Sequence, residues 1–380
     1  MKRSIDRILV SHAGSLPRPD DLREMLIARD GGQPYDHQEF TRRIRSAVTE
    51  VVKKQVESGV DIVNDGELSK INFTAYARQR LSGVEERKPD PGNPLFKIYG
   101  RDEGEFPEYF ATRRTAGIKD AACVGPVKYI GQSAVQADIA NLKAAIENVK
   151  VEEAFLPAVA PGTIEHWLKN EYYESDDAYL SAIADAMHEE YKAIADSGLI
   201  LQIDDPDLAD AWQIHPEMDV PAYRKFAALR IEALNHALRE IPTDRIRFHM
   251  CWGSYHGPHK YDIPLEKIVD LILRVKAECY SIEASNPCHD HEWRVWKDSR
   301  LPEGKSLMPG VAGHASDFIE HPELVAERLV RYAGLVGREN VIAGTDCGLG
   351  TRVGHPKIAW AKFKAMADGA RIATARLWKR

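Results

Sequence analysis

Residues 245–251 read Arg-Ile-Arg-Phe-His-Met-Cys, a strand-like run that ends in two metal-binding residue types. Because side chains alternate along a strand with period two, His249 and Cys251 point to the same side. Zn²⁺ favours this mixture of nitrogen and sulfur donors. Two further candidates, Glu283 and Cys347, lie at the ends of later strand-like runs. The four residues together predict a zinc site, and therefore a zinc enzyme that acts on a thiol.

Strand-like runs alternate with helical patterns along most of the chain. Strands are predicted over 7–13, 60–64, 122–130, 154–159, 199–203, 245–251, 280–282, 306–311 and 341–344, and helices over 38–58, 134–148, 177–196, 221–239, 264–277 and 322–336. This alternation is typical of βαβ units and a parallel sheet. We expect eight of the nine strands to close into a (β/α)8 TIM barrel, with the ninth in a hairpin or at the mouth. A doubly wound sheet is the alternative, but no glycine-rich dinucleotide-binding pattern follows the first strand.

The chain of 380 residues has no clear linker and no internal repeat. A length of this order suits one α/β barrel, so residues 1–380 are predicted to form a single catalytic domain. Residues 83–120, after the second strand, are rich in proline, glycine and charge and lack periodicity. A segment of this length without periodicity usually has a function, so we expect a lid or a contact between the copies of a homo-oligomer.

Composition excludes several classes of partner. The net charge of -7 gives no basic surface for nucleic acid. No apolar run approaches the ~18 residues of a membrane helix, and the N-terminus lacks the apolar core of a signal peptide. Five widely spaced cysteines without a secretory signal indicate the reduced cytoplasm rather than a disulfide framework. The expected partners are therefore small molecules.

Polar residues follow six different predicted strands at their C-terminal ends. They are Ser15, Glu67, Asp204, His249 with Cys251, Glu283 and Cys347. In a barrel these ends share one face, and the active sites of such barrels lie there. The sequence therefore predicts one convergent site built from segments that are distant along the chain.

Simpler structural roles compete with this interpretation. Glu283 would also serve as a helix cap, and Asp204-Asp205 as a turn before a proline. Cys123 and Cys279 are expected to be small core residues rather than ligands. Rival ligands lie in two loops beyond strand ends, at His256, His259 and Cys288-His289-Asp290-His291.

The same segments resemble the catalytic C-terminal domain of cobalamin-independent methionine synthase and its single-domain relatives. The resemblance covers residues 7–352 and includes three zinc-binding segments and four substrate-binding ones. The zinc segments are His249-Met250-Cys251, Ile282-Glu283 and Asp346-Cys347-Gly348-Leu349 with Thr351-Arg352; the others are Gly14-Ser15 with Pro17, Asp65-Gly66-Glu67, Gln202-Ile203-Asp204-Asp205-Pro206, and Pro161-Gly162-Thr163-Ile164 with Trp167.

The resemblance implies a zinc-dependent methyltransferase on a (β/α)8 barrel. In this family zinc would be held by His249, Cys251, Glu283 and Cys347, and the amino-acid part of homocysteine by Ser15, Glu67 and Asp204. Trp167 and Asp210 would lie towards the methyl donor. His314 lies one position earlier than the general-acid histidine of the family, so its role as proton donor is an expectation from an imperfect match. Residues 255–259 are foreign to the synthase and suggest a different second substrate.

The implied reaction activates a small thiol as a zinc thiolate for alkylation. The simplest form is methyl transfer from a folate-type donor to homocysteine, which gives methionine. Alkylation of another thiol, as in epoxyalkane:coenzyme M transferase, is an alternative that would need cations such as Arg18 or Arg352 for the sulfonate. A zinc-dependent hydrolase is a further alternative, although two thiolate ligands reduce the Lewis acidity of the ion. A purely structural zinc site would usually take closely spaced ligand pairs, which this chain lacks.

Overall fold

The computed structural model describes residues 1–88, 100–112 and 120–378. In this part of the chain the strands are β1 (Leu9–Val10), β2 (Ile62–Asn64), β3 (Val84–Arg87), β4 (Asp120–Cys123), β5 (Glu153–Val159), β6 (Lys169–Asn170), β7 (Ile200–Asp204), β8 (Ile246–Met250), β9 (Cys279–Ile282), β10 (Ser306–Ala312) and β11 (Ile342–Thr345). The helices are α1 (Asp20–Asp30), α2 (His37–Glu57), α3 (Phe73–Gln79), α4 (Arg101–Glu105), α5 (Pro107–Ala111), α6 (Gln132–Ile146), α7 (Pro161–His166), α8 (Asp176–Asp196), α9 (Asp207–Ile214), α10 (Val220–Ala237), α11 (Val269–Ile272), α12 (Val295–Asp298), α13 (Pro322–Val336) and α14 (Pro356–Trp378).

Eight of the strands form one parallel sheet in the order β1-β11-β10-β9-β8-β7-β5-β2. The two ends of this sheet meet, since the Asp61 N–H donates to the Val10 carbonyl at 2.9 Å. The Ser11 hydroxyl also donates to the Ile62 carbonyl at 3.1 Å. The sheet is therefore a nearly closed barrel surrounded by helices, and the predicted (β/α)8 fold is confirmed.

The ninth predicted strand lies outside the barrel, as expected, but it is shorter than the predicted range 122–130. Strand β4 pairs antiparallel with β3 and parallel with β6 in a separate three-stranded sheet. It ends at Cys123 because Gly125 and Pro126 interrupt regular structure immediately afterwards. Beyond it, Tyr129 forms only an isolated bridge with Leu81.

The helix predicted over 264–277 is wrong in length. The chain forms a 3-10 turn over Leu265–Lys267, then α11, and continues in tight turns. Side chains occupy the carbonyls that a longer helix would use, since the Tyr280 hydroxyl donates to Val275 O at 2.9 Å and the Asn235 amide to Arg274 O at 3.0 Å. Tertiary contacts therefore override the local apolar pattern.

The barrel interior is closed at the N-terminal ends of the strands by a small apolar cluster. Its members are Leu9, Ile62, Phe155, Ile200, Cys279, Met308 and Ile342. The larger core lies between strands and helices. Cys123 and Cys279 are both fully buried, which agrees with their expected role as core residues.

The segment 83–120 falls partly outside the described residues, which omit 89–99 and 113–119. Its described helix α4 lies against the loop that follows β8. The buried carboxylate of Asp102 accepts the N–H groups of Lys260 at 3.2 Å and Tyr261 at 3.0 Å. The Tyr109 hydroxyl, on α5, donates to the His256 carbonyl at 2.5 Å. A role for the whole segment as lid or oligomer contact stays a prediction, as does the single domain.

Within the described ranges, no helix combines the length and the apolar character that a membrane span requires.

Helix α14 was not assigned from the sequence, yet it belongs to the barrel shell. Phe363 is fully buried on it and contacts the His12 ring, with ring centroids 5.1 Å apart. We expect Phe363→Ala to lower the free energy of unfolding by about 3–5 kcal/mol because it leaves a cavity in the core. Phe318→Ala is the matched control, since Phe318 is 84% exposed and its loss should change stability by less than about 0.5 kcal/mol. Denaturant unfolding measures both, and equal effects would contradict the prediction.

Candidate metal centre

Two cysteines and a histidine meet at the C-terminal ends of β8 and β11. His249 lies on β8, Cys251 directly follows it, and Cys347 lies two residues after β11. The sulfur atoms of Cys251 and Cys347 are 3.8 Å apart. These sulfurs and an imidazole nitrogen all lie within 4.8 Å of one another. The closed barrel therefore brings together residues that are almost one hundred positions apart.

The His249 ring is held so that one nitrogen faces the sulfurs. Its Nδ1 lies 3.0 Å from the hydroxyl of Ser281, the residue opposite it on β9. Its Nε2 is buried and has no hydrogen-bond partner among the described residues. A buried polar atom without a partner costs free energy. Metal-binding histidines commonly have this arrangement, with the second nitrogen fixed by a neighbouring group.

The spacing of the two sulfurs fits a zinc ion. Two thiolates bound tetrahedrally at ~2.3 Å lie roughly 3.8 Å apart. A hydrogen bond from Cys251, with a further contribution from His249, holds the pKa of Cys347 well below its usual range. The pKa of Cys251 is raised by the same hydrogen bond and by burial. One thiolate is therefore already favoured, and a cation would favour the second.

Glu283 belongs to a second group of possible ligands and not to the group formed by His249, Cys251 and Cys347. Its carboxylate groups with His314 and Asp346, within 4.8 Å of both. One oxygen accepts the Trp252 N–H at 2.9 Å and the other accepts the Asn286 side-chain amide at 3.0 Å. Three of the four predicted ligands thus share one group, and the fourth is held beside it.

The three predicted substrate residues surround this centre. Asp204, on β7, pairs with His249 across the sheet. Ser15 packs against Gly348, which follows Cys347. The approach is so close that a Cβ atom added at Gly348 would lie 2.7 Å from the Ser15 Cβ. Glu67 is buried against Gly14. Its Oε1 approaches this glycine so closely that an added Cβ atom would lie only 2.7 Å away. The barrel therefore gathers all three around the histidine and the thiols.

Two of these residues are buried acids. Burial raises the pKa of Asp204 to about 7 and also raises the pKa of Glu67. Asp204 accepts a hydrogen bond from the Gln202 amide at 2.7 Å. A pair of buried carboxylates at the mouth of a barrel is suited to a positively charged group of a ligand.

Comparisons with known proteins agree with this geometry. Residues 158–372 match the family model described as the catalytic domain of cobalamin-independent synthase. The chain belongs to this family. It is similar to the methionine synthase of Thermococcus kodakarensis, with 24% identity over 94% of this chain and 91% of that protein. The methionine synthase of Sulfolobus acidocaldarius is 25% identical over 97% of this chain and 92% of that protein.

Solved structures share the fold. A B12-independent methionine synthase from Shewanella sp. W3-18-1, solved in complex with selenomethionine, matches with a TM-score of 0.74 and 21% identity over 98% of this chain and 100% of that one. A protein from Listeria monocytogenes described as a vitamin-B12-independent methionine synthase matches with a TM-score of 0.67 and 17% identity, over 96% and 98% of the two chains. This chain is therefore a methionine synthase-family enzyme on a TIM barrel.

The residues expected near the methyl donor have different surroundings. Asp210, on α9, is buried with one oxygen unpartnered among the described residues, and it lies 2.8 Å from the Cβ position of Gly253. It thus faces the segment after Cys251. Trp167 follows α7 and lies edge-on to His166, with ring centroids 5.0 Å apart. His314 is 1% exposed, and neither ring nitrogen has a hydrogen-bond partner within the described ranges.

No separate role was predicted for Asp346 beyond its place in the motif that contains Cys347. The structure shows that its carboxylate holds two loops of this synthase-family site together. Its carboxylate accepts the N–H groups of Ala284 and Ser285, both at 2.9 Å, and the Ser285 hydroxyl at 2.5 Å. It thereby fixes the segment after Glu283 to the one that carries Cys347. Its position directly before Cys347, in a polar strand-to-loop turn, was the only available signal.

Two of the rival histidines, His259 and His289, belong to a separate network around Asp262. His259 and His289 contact its carboxylate at 2.8 and 3.0 Å. His289 also stacks on Trp252, with ring centroids 3.7 Å apart. Burial lowers the pKa of each histidine, but the carboxylates outweigh it and raise the pKa of His259 to about 9 and that of His289 to about 10. In the described residues these histidines are absent from both candidate metal groups.

This network predicts a pH-dependent contribution to stability. A histidine pKa raised from 6.5 in the folded state stabilises the fold fully below pH 6.5, and the gain disappears as pH rises through the folded values. We therefore expect Asp262→Asn to lower the melting temperature most near pH 6 and least near pH 10. Asp270→Asn is the control, because Asp270 forms only a surface pair with Arg224. A wild-type-to-variant difference that is constant over this range would contradict the prediction.

Proposed function

We propose that the protein is a zinc-dependent methyltransferase that alkylates a small thiol, most simply homocysteine with a folate-type donor, to give methionine. The observation that carries this proposal is the group of buried His249 and Cys251 with half-buried Cys347, in which one imidazole nitrogen has no hydrogen-bond partner among the described residues. Nitrogen and sulfur donors suit Zn²⁺. Bound zinc would lower the pKa of a coordinated substrate thiol so that it reacts as a thiolate.

Glu283 is the proposed fourth ligand and the one that yields to the substrate. It is the single oxygen donor in the set, and oxygen is the least favoured partner in a thiolate-rich site. Its carboxylate already has two hydrogen-bond donors, Trp252 N–H and the Asn286 amide, that would hold it after it leaves. A second resting position of this kind lowers the cost of opening a ligand site.

Glu67 and Asp204 are proposed to bind the ammonium group of the amino-acid substrate, together with Ser15. One cation would compensate two buried acids whose pKa values are raised by burial. A sulfonate would instead meet negative charge. Arg18, one of the two candidate cations for a sulfonate, already donates to the carbonyls of Lys70 at 2.9 Å and Glu67 at 3.0 Å. These contacts favour an amino-acid thiol over coenzyme M.

The methyl donor is proposed to bind towards Trp167, which follows α7, and Asp210, which lies on α9. In the reaction a sulfur–carbon bond forms while the donor's nitrogen–carbon bond breaks. The leaving nitrogen then takes a proton, which we assign to His314. This imidazole is buried beside Glu283 and has no competing hydrogen bond among the described residues. A general acid must come within hydrogen-bond reach of the atom that it protonates, and ring nitrogens without another partner are available for that contact.

A single barrel domain in the cytoplasm suits this chemistry. Two cysteine ligands and a thiol substrate must all stay reduced, and the cytoplasm keeps thiols in that state.

Replacement of one proposed ligand tests the metal assignment. We expect Cys347→Ala to lose bound zinc and methyl transfer while the barrel stays folded. Cys279→Ala is the matched control, because Cys279 is also a free cysteine but lies in the apolar cluster at the opposite end of the barrel. Metal analysis and circular dichroism on the purified proteins measure the result. Full zinc retention in Cys347→Ala would rule out the assigned ligand set.

Zinc-edge X-ray absorption identifies the thiol. The resting protein should show two sulfur neighbours of zinc, from Cys251 and Cys347. Homocysteine should add one sulfur and remove one oxygen neighbour as Glu283 leaves, whereas coenzyme M at the same concentration should add none. If neither thiol changes the spectrum, the zinc is not a thiol site and the proposed function fails. If only coenzyme M does, the enzyme alkylates a different thiol.

A further inference from the structure

A fully buried arginine lies inside the barrel beneath the proposed substrate site. Arg247 is on β8, two residues before His249, and is 0% exposed. Its guanidinium donates to the Gln202 amide oxygen at 2.7 Å, the Ser11 hydroxyl at 2.8 Å and the His12 carbonyl at 3.3 Å. It also lies 3.9 Å above the Phe155 ring, in the apolar cluster. The side chain is therefore fixed on all sides.

This cation has no direct anionic partner. Among the residues that the structure describes, no carboxylate oxygen lies within 4.0 Å of the guanidinium, whereas buried Arg80 pairs with both Asp138 and Glu190. A buried charge without a partner is costly, so a merely structural role would be better served by an apolar residue. Its charge must therefore be used by something near it.

One amide connects Arg247 to the site. The Gln202 oxygen accepts from Arg247, so the Gln202 nitrogen must point the other way. That nitrogen donates to Asp204 at 2.7 Å and to the Ala13 carbonyl at 2.5 Å. A flipped amide would place two donors against the guanidinium and an oxygen against the carboxylate. The arginine thus decides which end of Gln202 faces Asp204.

We propose that Arg247 is a positioning residue for substrate selection, which acts through the Gln202 amide to hold Asp204 where its carboxylate meets the ammonium group of an amino-acid thiol. This inference rests on the proposed function, since it concerns the same substrate site. Among the described residues, Arg247 itself makes no hydrogen bond to Asp204 or to the proposed metal ligands. We expect selectivity for thiols and thioethers that carry an amino group.

The test measures binding rather than turnover. L-Methionine and 4-(methylsulfanyl)butanoate, which lacks the amino group, are titrated calorimetrically into the zinc-loaded full-length protein. Gln202→Glu keeps the shape and still accepts from Arg247, but it can no longer donate to Asp204. Arg247→Met removes the donor, and Arg247→Lys restores a cation. Met308→Leu is the matched control, because the Met308 sulfur lies 3.6 Å from Nη1 of the same guanidinium, whereas Gln202 accepts from Nε.

We expect Gln202→Glu and Arg247→Met to weaken methionine binding about tenfold, the value of one hydrogen bond to a charged group. Binding of the analogue without the amino group should change by less than about twofold, Arg247→Lys should recover part of the loss, and Met308→Leu should match the wild type. If Arg247→Met does not fold, Gln202→Glu carries the test.

Unchanged methionine binding in Gln202→Glu, or an equal loss for both ligands, would overturn the inference and leave the proposed function intact. A wild-type protein that binds zinc but neither ligand would overturn the proposed function itself. The two failures are therefore distinguishable.

Discussion

Charge balance in a closed barrel mouth is the constraint on which this site depends. Two thiols, one buried and one half-buried, lie at one end of the strands with an imidazole nitrogen that has no partner among the described residues and two buried acids, Glu67 and Asp204. Each such group is costly to bury alone. A divalent cation and a ligand ammonium group together would offset most of this negative charge, whereas either one alone would leave more of it uncompensated. The arrangement therefore favours a ternary assembly of protein, metal and amino acid.

Much of this site could be predicted because it follows from strand geometry alone. Period two puts His249 and Cys251 on one side, and parallel strands bring their C-terminal ends to one face. The same reasoning placed Ser15, Glu67 and Asp204 there without any knowledge of contacts. It could not place Glu283 relative to the thiols, since that depends on the N–H of Trp252 and the amide of Asn286.

Other features depend on contacts that a linear pattern does not contain. The helix expected over 264–277 gives way because Tyr280 and Asn235 bind its carbonyls. The unassigned helix α14 buries Lys362, whose ammonium group binds Glu320 at 3.1 Å. A lysine at a buried position interrupts the apolar periodicity by which a helix is recognised in the sequence. Its ion pair with Glu320 nevertheless allows it to be buried. Sequence periodicity fails wherever a polar side chain is satisfied by a distant partner.

The excursion between β3 and β4 reaches the metal centre through a chain of such contacts. Asp102 of α4 binds the backbone of residues 260 and 261, next to Asp262. Asp262 holds His289, which stacks on Trp252, and the Trp252 N–H binds Glu283. Because every link is buried or hydrogen-bonded, a shift of α4 would be transmitted to the Trp252 N–H that holds Glu283, the proposed fourth ligand. Helix α4, which lies outside the (β/α)8 barrel, is thus connected through this chain of contacts to Glu283, the proposed ligand that we expect to yield to the substrate.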